Sequence, residues 1–440
     1  MEEEKKEGRG GGENEADGVV PALISVHPQE YSVAVAIGSE LRVYSLRDNC
    51  MVVLQGVAGG LSHSDSIRAI CFGANGTLFA SGGDDKLVKV WSTDSWHCIQ
   101  TTCAEKRVSS VALSSNGSFL TFADKFGVIW VVEVDVAEKT SSPITKVATP
   151  IFGHYCSIIT SLEFSPDGQF IASADRDFKI RVSVFPGRPL KGVHEIQNFC
   201  LGHTDYISSL AFICASDGSC GFLLSGSGDS TVRLWDYENG LLLHTCEVGV
   251  KAGLVENEQS DLPAVIDLCA SPNGSVIVAA IQRFCGILLL SCSFHDCSLV
   301  VSKVVEMQKS FIPTSLRISS VGHLWIIAGA SEMCPSNAVS EPEDAKQMSN
   351  TGVCAFACIK VISLSDQQQA TILGEAEVPG GTELLKGLQG KILDDADVAT
   401  FALVAEAANR ALHNLLIKRQ YPAEKRELRK RNRNDKKQQH

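Results

Sequence analysis

The sequence predicts an all-β fold, a β-propeller of seven blades, because a short unit recurs along it, apolar residues alternate within the unit, and no long helical pattern interrupts. In four units a turn aspartate precedes a fixed position by six residues: Asp85 and Trp91, Asp124 and Trp130, Asp177 and Ser183, Asp229 and Trp235. Successive aspartates are 39, 53 and 52 residues apart, which is long enough for four short strands with loops. Each unit is therefore expected to form one blade.

Weaker copies of the unit complete the circle in residues 32–48, 264–293 and 311–364. A ring of sheets has no open edge when the two ends of the chain share a blade, so we expect residues 19–25 to pair with the strands near Val361. Residues 330–351 are rich in Ser, Pro, Asn and acids and are predicted to be a solvated loop.

A histidine that follows a turn residue precedes three of the units, at His63, His154 and His203. The full set of a histidine, a hydroxyl, a turn carboxylate and an indole occurs as His203, Ser225, Asp229 and Trp235. An active site would not recur once per blade, so the set is interpreted as a buried structural network. This pattern resembles the WD-repeat family, and the fold expected is a seven-bladed WD-repeat β-propeller.

Composition excludes several classes of protein. The formal net charge of −12 argues against a chain that coats nucleic acid with its whole surface. Its 16 cysteines occur without a Cys-x-x-Cys pair and without an apolar leader, which indicates a reducing compartment and thiols that pack as small hydrophobes. No ligand spacing or glycine-rich strand–turn–helix motif is present, so no metal, no cofactor and no catalytic residues are expected. The chain is predicted not to be an enzyme.

The chain divides into three parts: a disordered acidic and Gly-rich N-terminus at 1–18, the propeller at 19–375, and a helix with a basic tail at 376–440. The helix is predicted from the apolar stripe at positions 398, 401, 405, 408, 412 and 415, with Asp397 as cap. The stripe needs a partner, either the side of the propeller or another protein.

The basic tail, residues 418–440, has ten Lys and Arg against three acids. It suits a solvated tail, nuclear import or contact with the RNA backbone. Import makes the nucleus the expected location. The candidate RNA-contacting residues are Lys418, Arg419, Lys425, Arg426, Arg429, Lys430, Arg431 and Arg433.

Residues 151–212, with the strings ADRDFKIRVS and FCLGHTDYIS, resemble the non-catalytic WD-repeat subunit of the tRNA (guanine-N7-)-methyltransferase. The resemblance implies a heterodimer with a separate catalytic methyltransferase, which this chain would bind and stabilise while that partner forms N7-methylguanosine in tRNA. S-adenosylmethionine would then bind the partner, and tRNA would be reached through the complex.

The same resemblance carries the partner-binding role to Asp175, Arg176, Lys179 and Arg181. Lys89 and Arg233 occupy the position of Arg181 in other units, so a basic residue there also has a structural explanation. Phe178 stands where family members can carry an acid, which leaves the charge pairing open.

Two other functions compete with this one. A substrate receptor of a ubiquitin ligase, or a general interaction scaffold, would have the same fold; the Trp-Asp-x-Arg box typical of such receptors is incomplete at Trp235-Asp236-Tyr237-Glu238. A catalytic propeller would need unrepeated acids or histidines that converge in its channel, and none can be assigned from the sequence.

Overall fold

The computed structural model describes residues 19–55, 62–135, 144–154, 157–191, 195–215, 221–254, 262–271, 273–308, 311–333, 353–366, 369–389, 402 and 405–409. Seven sheets form the molecule, and within each sheet the four strands follow one another in chain order, with a fifth strand on two of them. The seven-bladed propeller predicted from the repeat is confirmed. No helix among these residues has both the length and the apolar character needed to span a bilayer.

Three of the four units with the six-residue spacing lie in blades 2 to 4, and the fourth lies in blade 5. Their strands, from the channel outward, are as follows. Blade 1 comprises β2 (Leu23–Val26), β3 (Ser32–Ile37), β4 (Glu40–Ser45) and β5 (Cys50–Met51), and β1 (Val20–Pro21) precedes it. Blade 2 comprises β6 (Ile67–Gly73), β7 (Leu78–Gly83), β8 (Leu87–Ser92) and β9 (Cys98–Cys103). Blade 3 comprises β10 (Val108–Leu113), β11 (Phe119–Asp124), β12 (Val128–Glu133) and β14 (Thr149–Gly153), while β13 (Ile144–Lys146) pairs with β9. Blade 4 comprises β15 (Ile159–Phe164), β16 (Phe170–Asp175), β17 (Lys179–Val184) and β18 (Glu195–Leu201).

The last three blades complete the ring. Blade 5 comprises β19 (Ile207–Cys214), β20 (Gly221–Ser227), β21 (Thr231–Asp236) and β22 (Leu241–Glu247), followed by the short helix α1 (Val248–Lys251). Blade 6 comprises β23 (Val265–Ala270), β24 (Ile277–Ile281), β25 (Gly286–Ser293) and β26 (Ser298–Glu306). Blade 7 comprises β27 (Ser315–Ile318), β28 (His323–Met333), β29 (Val353–Asp366) and β30 (Gln369–Ile372).

Each blade packs against a neighbouring blade on both of its faces. In β8, Val88 and Val90 pack in one apolar cluster with blade 3 residues, whereas Trp91 packs on the opposite face with blade 1 residues. Alternation along the strand therefore supplies two cores, one for each neighbouring blade.

The turn between the second and third strands has one backbone shape in blades 2 to 5. The residue just before the third strand has a positive φ in each: Lys86 63°, Gly127 86°, Phe178 69° and Ser230 66°. A left-handed conformation costs a residue with a Cβ about 1–2 kcal/mol, so the repeat imposes this turn on three side chains that do not favour it. We call the end of the propeller that carries these turns the upper face and the opposite end the lower face.

The ring closes in the last blade, as the sequence predicts, but through only two residues. β1 pairs with β28, as Val20 with Ser331 and Pro21 with Ala330, and β28 in turn pairs with the strand that contains Val361. The next residues turn away to form β2, the innermost strand of blade 1. The Thr314 hydroxyl donates to the carbonyl of Ala22 at 2.8 Å and secures the junction.

A helix that the sequence analysis missed covers the junction of blades 7 and 1. It is α2 (Gly381–Gln389), whose Leu384, Leu385 and Leu388 pack with blade 1 and blade 7 residues. In the predicted helix further along, residues 405–409 are helical; Ala405 packs on blades 6 and 7, and Ala408 packs on Val19 and Ala330. These two positions of the stripe therefore face the propeller itself, and most of the remaining stripe lies outside the described residues.

Candidate functional site: the outer edge of blade 4

The predicted hydrogen-bonded network is present and complete in blades 2 and 5. In blade 5, His203 Nδ1 lies 2.8 Å from Asp229 Oδ2, its Nε2 lies 2.7 Å from Ser225 Oγ, and Trp235 Nε1 donates to that hydroxyl at 2.8 Å. The matching atoms of blade 2 are 2.8, 2.8 and 3.1 Å apart, in a second full set made by His63, Ser81, Asp85 and Trp91. A constellation that recurs in separate blades serves stability and not catalysis.

Electrostatics agree with a structural role for these carboxylates. Burial alone would raise the pKa of Asp229, but hydrogen bonds from His203 and Thr231, together with the charge of His203, hold that pKa at about 2. Asp85 has the same opposing causes and its pKa is also lowered. Both acids therefore stay ionised as hydrogen-bond acceptors.

Blade 4 uses a different aspartate from the one that the six-residue spacing selects. His154 Nδ1 lies 2.8 Å from Asp175 Oδ2, and its Nε2 lies 2.8 Å from Ser173 Oγ. Asp175, and not the turn residue Asp177, is therefore the acid that binds the network histidine of blade 4. Asp175 ends β16 opposite Ile159, the position that Asp124 occupies opposite Val108 in blade 3. A carboxylate at the strand end reaches the histidine as well as one in the turn.

This placement argues against Asp175 as a residue that contacts a partner. Its side chain is 2% exposed, and its Oδ1 accepts the backbone N–H groups of Asp177 at 2.9 Å and Lys179 at 3.0 Å. Asp175 therefore shapes the turn from within the blade, and its carboxylate has no surface to offer a partner.

Arg181 also has a structural contact. It lies opposite Ser173 in the sheet, as Lys89 lies opposite Ser81 and Arg233 opposite Ser225. Arg181 Nη1 donates to the carbonyl of Gly153 at 2.6 Å, and Lys89 Nζ donates likewise to the residue before its own network histidine. Burial lowers the pKa of Arg181, and Asp175 counteracts this in part. The Arg181 guanidinium nevertheless remains half-buried rather than enclosed.

Lys179 is the predicted residue that reaches the upper face most openly, and Arg176 lies close to it in the same turn. Lys179 is exposed. Arg176 is half-buried, its Nε has no hydrogen-bond partner, and its backbone N–H donates to Ile158. Between them lies the exposed Phe178 in its left-handed turn. The structure thus brings Arg176, Lys179 and Arg181 to one corner of blade 4.

The sequence analysis missed an apolar row beside these cations. In the pairing of β17 with β18, Lys179 faces Leu201, Arg181 faces Phe199, and Ser183 faces Ile196. The three apolar side chains are exposed, and the Arg181 guanidinium lies 5.5 Å from the centre of the Phe199 ring. We call Lys179, Arg181, Ile196, Phe199 and Leu201 the blade-4 edge.

Blades 2 and 5 do not repeat this row. The equivalent outer residues are Cys103, Thr101 and Cys98 in blade 2 and Glu247, Thr245 and Leu242 in blade 5. Only a comparison of aligned outer strands could have found the difference, because an apolar residue in a strand normally predicts core. The blade-4 edge combines cations, an aromatic ring and aliphatic side chains, which suits binding to another protein.

The channel contains a separate group of charges. Asp267 and Arg317 pair there at 3.2 Å, and Glu163 faces the same lumen. Glu163 is exposed to the lumen, yet the protein around the lumen desolvates it and raises its pKa to about 7, with Arg317 opposing the rise. Among the residues described, no group of three or more His, Cys, Asp or Glu side chains is placed to hold a metal ion.

The eight tail residues predicted to contact RNA lie outside the described residues. They are Lys418, Arg419, Lys425, Arg426, Arg429, Lys430, Arg431 and Arg433.

Comparison with known proteins agrees with the fold and identifies the family. The model of the tRNA methyltransferase TRM82 WD40 domain matches residues 133–350, and the WD domain, G-beta repeat model matches residues 57–92. A Xenopus laevis protein, "tRNA (guanine-N(7)-)-methyltransferase non-catalytic subunit wdr4", is 31% identical over 67% of this chain and 72% of its own length. The chain belongs to this family of non-catalytic subunits.

Relatives with the same description occur in Danio rerio, at 32% identity over 61% of both chains, and in Homo sapiens, at 33% identity over 44% of this chain and 43% of that one. The chain thus spans about three fifths of the Danio rerio relative. Among solved structures, that of U3-55K is similar with a TM-score of 0.56 and 19% identity, covering 70% of this chain and 88% of that one. This likeness concerns the propeller fold alone.

Proposed function

We propose that this chain is a scaffold that binds and stabilises a catalytic tRNA (guanine-N7-)-methyltransferase, and that the blade-4 edge is the main binding surface. The observation that carries the proposal is the exposed apolar row beside Lys179 and Arg181, a combination that the equivalent positions of blades 2 and 5 lack. Relatives named as non-catalytic subunits of that enzyme support the choice of partner. The chain itself contributes no catalytic residue, and S-adenosylmethionine binds the partner.

The chemistry of the edge fits a protein partner better than RNA. Ile196, Phe199 and Leu201 offer apolar area that a phosphate backbone would not cover, whereas aromatic and arginine side chains dominate the energetics of protein interfaces. Lys179, Arg181 and Arg176 add positive charge around the row, so the complementary surface of the partner should be apolar at its centre and acidic at its rim.

A matched pair of substitutions tests the surface. Ile196→Asp introduces a charge into the row, and Leu242→Asp does the same at the equivalent register of blade 5; the two side chains are 43% and 42% exposed. We expect Ile196→Asp to weaken binding of the purified methyltransferase by at least tenfold, about 1.4 kcal/mol, while Leu242→Asp leaves the affinity unchanged. Interferometry with the two purified subunits measures both.

Charge reversals refine the map. Arg176→Glu and Lys179→Glu should each weaken the complex, by about 2–5 kcal/mol where the cation is fully desolvated against an acid and by less at the rim. Arg181→Glu is less clean, because it also removes the hydrogen bond to Gly153. Unchanged affinity in Ile196→Asp, Arg176→Glu and Lys179→Glu would assign the partner to another blade, and failure of any methyltransferase to bind the wild-type chain would remove the function itself.

The basic tail is the second element of the proposal, as an RNA contact and a signal for the nucleus. Its charge of +7 belongs to a chain whose remaining residues sum to about −19, so attraction to tRNA falls to the tail. Deleting residues 423–440 should weaken tRNA binding by the complex across all tRNAs and reduce the slope of log affinity against log salt by about 0.7–0.9 per lost phosphate contact.

The control measurement for this deletion is the affinity of the chain for the methyltransferase, which should not change. An identical salt slope with and without the tail would remove the RNA role. A shift of the truncated protein out of the nucleus would then leave import as the function of the tail.

A further inference from the structure

A cavity of about 460 Å³ opens between blades 1 and 2 on the lower face of the propeller. Four turns form its walls: those between β2 and β3, β4 and β5, β6 and β7, and β8 and β9. The blade-4 edge has no residue in it, so the scaffold function proposed above makes no use of this cavity.

The wall contains a histidine at a position where four other blades have serine. The residue at this position closes the turn after the innermost strand through its backbone N–H; it is His27 in blade 1 and, in blades 3, 4, 6 and 7, Ser114, Ser165, Ser271 and Ser319. Each serine hydroxyl also accepts a backbone N–H of its own turn. The turn therefore does not need an imidazole, and a departure from a local rule of this kind is typical of a functional position.

The His27 side chain is a buried donor without an acceptor. It is 5% exposed, and its Nδ1 accepts the backbone N–H of Gln29 at 3.1 Å. Burial lowers the pKa of His27, and the charge of Arg47 adds to the effect, so the imidazole is neutral with its proton on Nε2. Nε2 meets no hydrogen-bond acceptor in the described part of the chain, although buried polar groups are normally paired.

Gly76 places this donor at the wall of the cavity. It lines the cavity beside His27, its φ is 92°, and a Cβ at its position would overlap His27 Nε2. A glycine thus allows the β6–β7 turn to pass close to the imidazole.

The turn that carries His27 is held rigidly from its other side by blade 7. The backbone N–H of Ser320 donates to Pro28 at 2.8 Å, and the Glu30 carboxylate accepts Trp325 Nε1 at 2.8 Å and interacts with His323 Nδ1 at 2.9 Å. The donor is therefore positioned before any ligand arrives, which reduces the entropy lost on binding.

The rest of the wall combines an aromatic surface, an exposed apolar side chain and a free acid. The Arg47 guanidinium lies 3.3 Å from the centre of the Tyr31 ring, and Val53 is 80% exposed. Of the two acids, Asp48 is hydrogen-bonded within its own turn, whereas the Asp94 carboxylate has no ion pair or hydrogen bond among the described residues. Two acids against one cation give the cavity a net negative charge.

We propose that this cavity binds an extended peptide segment of a partner protein, with a backbone carbonyl on His27 Nε2 and a Lys or Arg side chain on Asp94. An apolar side chain of the segment then covers Val53. RNA fits less well, because the two acids repel phosphates and a phosphate backbone does not cover apolar area. This inference does not depend on the methyltransferase.

A library of random peptides displayed on phage supplies the probe. It is selected on the immobilised full-length chain and depleted on the His27→Ser variant, which carries the serine of the other blades and should keep the turn. We expect the enriched peptides to share a basic residue beside an apolar one. His27→Ser should leave binding of the methyltransferase unchanged.

Two variants that play no part in the selection test the site independently, with the enriched peptides as synthetic ligands in calorimetry. Asp94→Asn and Val53→Asp should each weaken binding about tenfold, through loss of a charge pair and of an apolar contact. Val147→Asp is the matched control, since Val147 is 91% exposed in the loop between β13 and β14 and lies outside the cavity.

Three results would overturn the inference. Selection may yield no peptide that His27→Ser fails to bind. The enriched peptides may bind Asp94→Asn and Val53→Asp as tightly as the wild-type chain, which would assign them to another surface. A single-stranded RNA oligonucleotide may bind the wild-type chain and not His27→Ser, which would replace the peptide by nucleic acid.

Discussion

Asp175→Ala should destabilise the propeller more than Asp177→Ala, although the repeat spacing selects Asp177. The Asp175 carboxylate accepts hydrogen bonds from His154 Nδ1 at 2.8 Å and from the N–H groups of Asp177 and Lys179 at 2.9 and 3.0 Å. Its side chain is almost fully buried, so water cannot reach the imidazole without entering a new cavity.

The size of the effect follows from these three bonds. A buried donor that loses its acceptor costs about 1–3 kcal/mol; His154 bears that penalty, while the two turn amides lie near the surface and can be partly rehydrated. We therefore expect a loss of about 2–4 kcal/mol. For a domain of about 350 residues the entropy of unfolding is about 0.7 kcal/mol/K, so the Tm should fall by roughly 3–6 °C.

Urea denaturation followed by tryptophan fluorescence, with calorimetry for the Tm, measures the difference between the two variants. Asp177→Ala should cost less than about 1 kcal/mol, because its carboxylate lies outside the histidine network. The reverse order of the two variants would refute the reasoning and return Asp177 to the network. Loss of the same amount in both would mean that the turn as a whole, and not the buried carboxylate, determines stability.

Two further predictions concern pH. Because the pKa of Asp229 is about 2 in the folded chain and 3.8 ordinarily, this acid contributes stability above pH 4 that is lost as the pH falls towards 2, about 2 kcal/mol in all; His203→Gln should remove most of this dependence in urea titrations at pH 2–6. The raised pKa of Glu163 acts in the opposite direction. Its ordinary pKa is 4.5 and its pKa in the folded chain is about 7, so stability should fall between about pH 4.5 and pH 7, by on the order of 1 kcal/mol after allowance for water in the lumen, and Glu163→Gln should flatten that profile.

The repeat made the blades predictable from the sequence, whereas the way in which the ring closes was predicted less completely. Turn aspartates and alternating strands appear in every strong unit, so local sequence was enough for blades 2 to 5. The pairing of Val20 with Ser331 depends on which residues of the long β28–β29 hairpin lie beside the N-terminal chain. The alternation of apolar residues does not predict this register. Helix α2 was missed because its nine residues are too few for a clear stripe at helical spacing.

The candidate site was predictable in part for a related reason. The family resemblance pointed to Arg176, Lys179 and Arg181, which the structure brings together at one corner of blade 4; their role in binding a partner stays a prediction. The resemblance did not distinguish the buried Asp175 from its neighbours, because a carboxylate at the end of β16 and one in the turn can reach the same histidine. The exposed row on β18 was missed, since exposure depends on what the next sheet leaves uncovered.

Blade 4 holds its turn without the tryptophan that blades 2 and 5 use. In blades 2 and 5 the indoles of Trp91 and Trp235 are fully buried against the preceding blade and donate to the network serine. Ser183 stands in that position in blade 4, and Ser173 interacts instead with the carbonyl of Arg181. The contacts of His154, Ser173 and Asp175 hold the turn of blade 4 without an indole. Blade 4 therefore presents its apolar side chains on a rigid support, which reduces the entropy lost when a partner binds.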